Sequence, residues 1–191
     1  YEAPSHLLKR AAFCLSGDIL TSPPIFWLFT YWLFRYGYLH KIDAINSRVR
    51  GEDEPEVKTS IPERYMRRMT PLQARLILRQ VKKVEKNNRI RIQYAKEYNA
   101  GLRDISQIIL PPYKEDGSHI YLTYPIQVEN RHKLLRFLTL NGRDLAVQHM
   151  GSNAEYECYK DYFRDCPNAH YTADQVLILP TYPGYGIHQV R

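Results

Sequence analysis

The chain has 191 residues, 44% hydrophobic and 25% charged, with Lys+Arg 27 against Asp+Glu 20 and a formal net charge of +7. That length holds one domain, or a domain with an appendage, and can bury a core, which excludes disorder as the default state. The basic residues are spread along the chain and not gathered into one run, so they describe a mildly basic, solvated surface and not a nucleic-acid footprint.

Residues 1–62 read as a connecting segment. They are aromatic and apolar to about His40, then charged, and "RGEDEPEVKTS" has the character of a linker or exposed excursion. Within them "SPPIFWLFTYWLF", residues 22–34, holds about ten uninterrupted apolar residues against the ~20 needed to span a bilayer, so no transmembrane helix is predicted. It lies behind Lys9 and Arg10 without a small-residue cleavage site, which is not the layout of a signal peptide. Trp27, Tyr31 and Trp32 would suit an interfacial helix, but the Lys/Arg face of membrane-surface helices is nearly missing. A packed helix or an intersubunit contact is therefore the expectation, and a membrane is not expected as a partner.

Residues 63–191 carry the clearer patterning. In "RRMTPLQARLILRQ", Thr70 can cap, Pro71 suits the first helical position, and Gln73 can reach back to the Thr70 amide. Leu72, Leu76, Ile77, Val81 and Val84 then lie at helical spacing, Ile90, Tyr94 and Tyr98 continue at fours, and Gly101 offers a stop, predicting one helix over about 71–100. In "HIYLTYPIQV", residues 119–128, Ile120, Leu122, Ile126 and Val128 alternate with Tyr121, Thr123 and Gln127, the period of a half-buried strand. Pro125 makes that strand an edge or bulged one. Asn130 is read as the cap of a short helix through Leu134, Leu135 and Leu138, closed by Gly142. A strand at about Leu145–Gln148, a helix around Glu155–Phe163 and a strand at Val176–Leu179 complete the series. One long helix followed by alternating short strands and helices predicts a small two-layer α/β (α+β) sandwich.

Cys14, Cys158 and Cys166 are odd in number and form no CxxC, against a disulfide framework and for a reducing, cytoplasmic location. Cys158, Cys166 and His170 match no usual zinc spacing and lack an evident fourth ligand, so no metal site is predicted.

Three segments together carry a resemblance. "RRMTPLQARLILRQVKKVEKNNRIRIQYAKEYNAGL", "YPIQVENRHKLLRFLTLNGRDLAVQHM" and "NAHYTADQVLILPTYPGYG" resemble, in the same order, parts of the DegT/StrS-type sugar aminotransferases. They look like the Ser/Thr-led helix with Gln-Ala, the strand with capped leucine-rich helix, and the closing small helix with its Leu-Pro turn. Residues 19–36 resemble an aromatic insertion found in some members tied to polysaccharide loci.

The resemblance implies the small C-terminal domain of a fold type I transferase that depends on pyridoxal phosphate. Such enzymes move an amino group from glutamate or glutamine to a keto sugar, commonly nucleotide-linked, with sites at a dimer interface. The family's Schiff-base lysine, its pyridine-pairing Asp and most phosphate-holding residues belong to a large domain upstream of Tyr1. Lys9, in "SHLLKRA", has apolar flanks on the wrong side for that lysine, so no catalytic residue is assigned. The chain alone is expected to be inactive, needing a homodimer or a complementing N-terminal half. A non-catalytic interaction module, or a degenerate half-enzyme at a membrane surface, is the alternative.

Residue by residue, Arg64, Tyr65, Met66, Arg67 and Arg68 stand where the family has Gly, aromatic, Asn, aromatic, Arg, and only Tyr65 and Arg68 match. Arg67 and Arg68 are the candidate cofactor-binding residues, the other reading being that they are solvated or pair with Glu63. His149, at the end of the second strand, is the candidate substrate-facing residue or else a surface histidine. Tyr182 and Tyr185 suit packing against the large domain better than lining a site entrance.

Overall fold

The computed structural model describes residues 3–46, 56–143, 145–147 and 152–190. They form two compact units, one drawn from Tyr1–Arg50 and Glu56–Val81 and the other from Lys82–Arg191. The sequence placed the division after Pro62; the units divide between two helices, after Val81.

The first unit is helical. α1 (Pro4–Leu20) opens with Pro at its first position, where a missing N–H costs nothing. α2 (Pro23–Ile25), a π-helical turn Phe26–Thr30 and α3 (Tyr31–Leu39) follow as one helical run, then the short α4 (Asp43–Asn46). Tyr31 is buried, with the rings of Trp27, Trp32 and Phe26 at 5.1, 5.7 and 6.2 Å. A 3-10 turn, Glu63–Met66, precedes α5 (Pro71–Val81). The predicted capping box is present: Thr70 N–H donates to Gln73 Oε1 at 2.8 Å, and Gln73 N–H to Thr70 Oγ1 at 3.4 Å. No residue of α1 or α5 is buried.

The single helix predicted over 71–100 is two: α5 and α6 (Val84–Leu102), interrupted at Lys82–Lys83. Lysine is a good helix former, so propensity does not break it. Arg75, Arg79, Lys83 and the pair Lys82, Lys86 instead stack like charges at i,i+4, each pair costing about 0.2–0.5 kcal/mol. Gly101 is the penultimate residue of α6, which ends at Leu102, close to the predicted stop.

The second unit is built on a four-stranded antiparallel sheet, β1 (Ile108–Ile109), β2 (Tyr124–Val128), β3 (Ala146–Val147) and β4 (Val176–Leu179), in the order β1-β2-β4-β3. Ile126 pairs with Leu177, and Tyr124 with Leu179. Tyr124, Ile126 and Val128 are buried while Pro125 and Gln127 are half-buried, the period of two read from the sequence. β2 is interior in the sheet order and not an edge, yet β1 pairs only with Gln127 and Val128, so Pro125 removes no ladder donor on that side. α7 (Arg131–Leu140) packs on β4, α8 (Pro167–Gln175) on β2, and α6 meets the closing α9 (Ile187–Val190). Tyr94, Ala95 and Tyr98 of α6 are buried, with Tyr98 5.3 Å from the Tyr124 ring.

Local outcomes refine the expectations. β2 starts at Tyr124, so Ile120 and Leu122 stay exposed. Tyr121 breaks the extended run at φ 49°, fully buried, its hydroxyl accepting the Lys114 N–H at 2.7 Å. Gly142, at φ 75°, ends α7 with Arg143 N–H bonded to Leu138 C=O at 2.9 Å, the 6→1 closure that needs a left-handed residue. Asn130 stands at the start of α7 but makes no side-chain cap. The helix expected around Glu155–Phe163 is two 3-10 turns, Asn153–Glu155 and Glu157–Tyr162. Tyr156, Tyr159 and Tyr162 recur every third residue, which suits a three-residue turn and not an α-helix.

Candidate functional site

Arg67 leaves the 3-10 turn in extended conformation, φ −85° and ψ 138°, three residues before the capping threonine. The turn is set by Pro62, whose C=O accepts the Tyr65 N–H at 2.9 Å. The Thr70 box fixes where the helix begins, and the arginines are thereby held just ahead of a helix start, exposed to solvent. No ion pair joins Glu63 to Arg67 or Arg68 among the described residues. Two adjacent exposed cations can meet a phosphate or carboxylate brought by another surface. His149 lies outside the described residues.

In the sheet unit the closing turn "PTYPGYG" is tied to α6. Tyr98 donates to Pro180 C=O at 2.9 Å, and Tyr94 donates to Pro183 C=O at 3.4 Å while accepting the Gly186 N–H at 3.1 Å. Tyr182 and Tyr185 stack edge to face at 5.5 Å. Two arginines that sequence reasoning did not single out fasten the frame. Arg91 donates to Leu122 C=O at 3.0 Å and to Thr181 Oγ1 at 3.5 Å, and Arg131 donates to Ala173 C=O. Their only sequence signal was a charge on an otherwise half-buried helix face, which does not point to a partner.

A cavity of about 580 Å³ opens beside α8, lined among others by Glu155, Asp165, Cys166, His170 and Asp174. His170 Nδ1 bonds the Glu155 carboxylate, and its Nε2 lies 3.7 Å from Asp174. The Glu155 hydrogen bond, then the charges of Glu155 and Asp174, raise the His170 pKa above its ordinary value. A second cavity of about 440 Å³, lined by Ile109, Pro111, Pro125, Gln127 and Val176, is mostly apolar. Among the described residues no group of three or more His, Cys, Asp or Glu is arranged to hold a metal.

A small antiparallel sheet with helices packed on it defines a small α/β domain of the kind found in aminotransferases. Residues 46–191 match the DegT/DnrJ/EryC1/StrS aminotransferase family, and the chain belongs to it. It is 28% identical over 130 residues, 62% of this chain and 33% of the relative, to the uncharacterized protein MJ1066 of Methanocaldococcus jannaschii. Among solved structures, DesV of S. venezuelae, in complex with a ketimine intermediate, matches with TM-score 0.59 and 25% identity over 64% of this chain and 34% of that one. An aminotransferase of the same family from Brucella abortus matches with TM-score 0.58 and 21% identity over 78% and 40%. The chain thus spans about a third of the length of the curated relative and of DesV.

The family's cofactor is pyridoxal phosphate. The donor sets here do not fit it by themselves. The larger cavity presents Glu155, Asp165 and Asp174, whose charges repel a phosphate, and neither cavity is lined by a lysine amine. Arg67 and Arg68 are the cations disposed to meet an anion, but they sit on an exposed stretch without a carboxylate partner for a pyridinium.

Proposed function

We propose that this chain is the C-terminal portion of a pyridoxal-phosphate-dependent aminotransferase that places an amino group on a keto sugar, nucleotide-linked and destined for a polysaccharide or cell-surface glycan. It supplies the small domain and acts in the cytoplasm as part of a homodimer or with a complementing N-terminal half; alone it does not transaminate. The observation that carries this reading is the family match over residues 46–191, supported by the fold shared with DesV. In this reading Arg67 and Arg68 lend charge to an anionic group across the subunit boundary, and His149 faces the sugar. Met66, where the family has an amide, cannot donate to a phosphate, which puts the weight on the arginines.

The complete protein should show a visible absorption band of bound cofactor that shifts when glutamate is added. A protein purified with pyridoxal phosphate that shows no band refutes the reading. Arg68→Gln in that protein should weaken cofactor retention about tenfold, the cost of one charge-assisted contact. Retention equal to wild type would remove Arg68 from the site.

A further inference from the structure

The apolar helices at the start of the chain belong to the first unit, outside the one that holds the sheet. No single helix there is long and apolar enough to cross a membrane, but the pair Pro4–Leu20 and Pro23–Leu39, bent by 63°, meets the length and composition for a broken or re-entrant segment. We infer that residues 4–39 seat in one leaflet of an anionic lipid bilayer, with the bend inserted and the charged ends at the headgroups.

Three observations carry this. The first is exposure: Leu8 is 73%, Leu15 60% and Ile19 49% exposed along one stripe of α1, and Leu28, Phe29, Trp32 and Leu33 are exposed beyond the bend. The second is that the bend closes its own polar groups. The hydroxyls of Thr21, Ser22 and Thr30 donate to the carbonyls of Gly17, Ile19 and Leu20 at 2.9, 2.6 and 2.9 Å, and Ser16 donates to Phe13 at 2.8 Å. Thr21, Ser22 and Phe26 N–H groups bond Gly17, Ile19 and Ser22 carbonyls, and Pro23 and Pro24 have no N–H to lose. In water such a corner would be hydrated at no cost, whereas lipid requires internal partners of this sort.

The third is charge placement. Lys9 and Arg10 stand about 15 Å along the helix before the bend and Arg35 about 18 Å beyond it, at 1.5 Å per residue. With each leg inclined at half of the 63° bend, the corner lies about 8–9 Å below its charged ends, within the ~5–10 Å depth of interfacial helices. Arg35 lies 5.0 Å above the Trp32 ring, a cation and an indole together at one level, as headgroup anchors are. Taken alone, residues 22–34 lacked the basic residues of a membrane-surface helix; α1 supplies them. Asp18 is the one acidic residue within α1, and at helical spacing it falls off the stripe of Leu8, Leu15 and Ile19.

The test uses the full protein and flotation with vesicles of phosphatidylcholine and phosphatidylglycerol at 7:3. The protein should float, and its emission should be quenched by acyl-chain-brominated lipid, since both tryptophans of this chain, Trp27 and Trp32, lie in the segment. The Phe29→Ser, Leu33→Ser double variant should bind at least tenfold more weakly at unchanged helix content. Absence of flotation, or of quenching in the wild type, overturns the inference whether or not the variant folds. So does a lipid-free change of oligomeric mass in the variant without vesicle binding, which would give the face to a second copy. Vesicle binding is independent of the cofactor band, so the two readings fail separately.

Discussion

The two units handle their apolar residues in opposite ways. In the sheet unit, Tyr121, Tyr124 and Leu177 are fully buried, and the rings of Tyr98 and Tyr121 lie 5.3 and 6.2 Å from that of Tyr124. In the helical unit the large side chains of α1 and α5 stay exposed, although that stretch is at least as apolar. Apolar content supplies the driving force for burial, but only an element with two faces to pair, here a sheet with helices laid on it, turns it into a core. Helices that meet the same composition without such a partner keep their surface for something outside the unit.

The largest effect should separate the units most sharply. Leu177→Ala removes a side chain of 0% exposure from β4 and should cost about 2–5 kcal/mol in denaturant unfolding. Leu8→Ala, on exposed α1, should stay within about 0.5 kcal/mol. Equal losses would mean that α1 is buried in the folded protein and would break the comparison. Next comes Thr70→Ala, which deletes the side-chain cap at the start of α5 and should cost about 1 kcal/mol, read as lowered thermal midpoint.

A finer contrast lies within the core. Tyr98→Phe loses the bond to Pro180 C=O and should cost about 1 kcal/mol, whereas the buried Tyr124 hydroxyl has no partner among the described residues, so Tyr124→Phe should be neutral or stabilising. The same pair governs alkaline behaviour. Burial first, then neighbouring tyrosines, pushes the Tyr124 pKa up to about 12 and raises that of Tyr98 further. Both folded values lie above the unfolded ~10, so the stability they carry is complete below pH ~10 and falls as pH rises through the folded values. Tyrosinate absorbance should therefore appear in two stages, the later one coincident with unfolding.

Much of the sheet unit was legible. The alternation of Tyr124–Val128, the apolar run Val176–Leu179 and Gly142 after α7 are local signals, and the structure uses them locally. The Thr70 box was legible for the same reason. What was not legible depended on distance in sequence. β1 is two residues long and exists only by pairing with β2, and nothing in "HIYL" announces that Tyr121 turns left-handed to reach Lys114. Arg67 and Arg68 could be named from the family pattern, but solvent exposure leaves their partner to another surface. A pattern of apolar spacing runs on through Val81 and Val84 and does not register the break at Lys82–Lys83.

The smallest effect concerns the acidic cavity. In the folded chain the Glu155 bond and charge, with Asp174 and Asp165, hold His170 protonated to higher pH than usual. The tie between α8 and the 3-10 turn at Asn153–Glu155 is accordingly complete below the ordinary imidazole pKa of ~6.5 and is released as pH rises through the raised value. Because the pair is exposed, the change should be seen in local order and not in global stability. In a proton NMR titration the His170 midpoint should fall in Glu155→Gln, and α8 amides should exchange faster in wild type at pH ~8.5 than at pH ~5.5 after correction for the intrinsic rate. A midpoint that Glu155→Gln leaves in place would assign the shift to Asp174 and detach α8 from that turn.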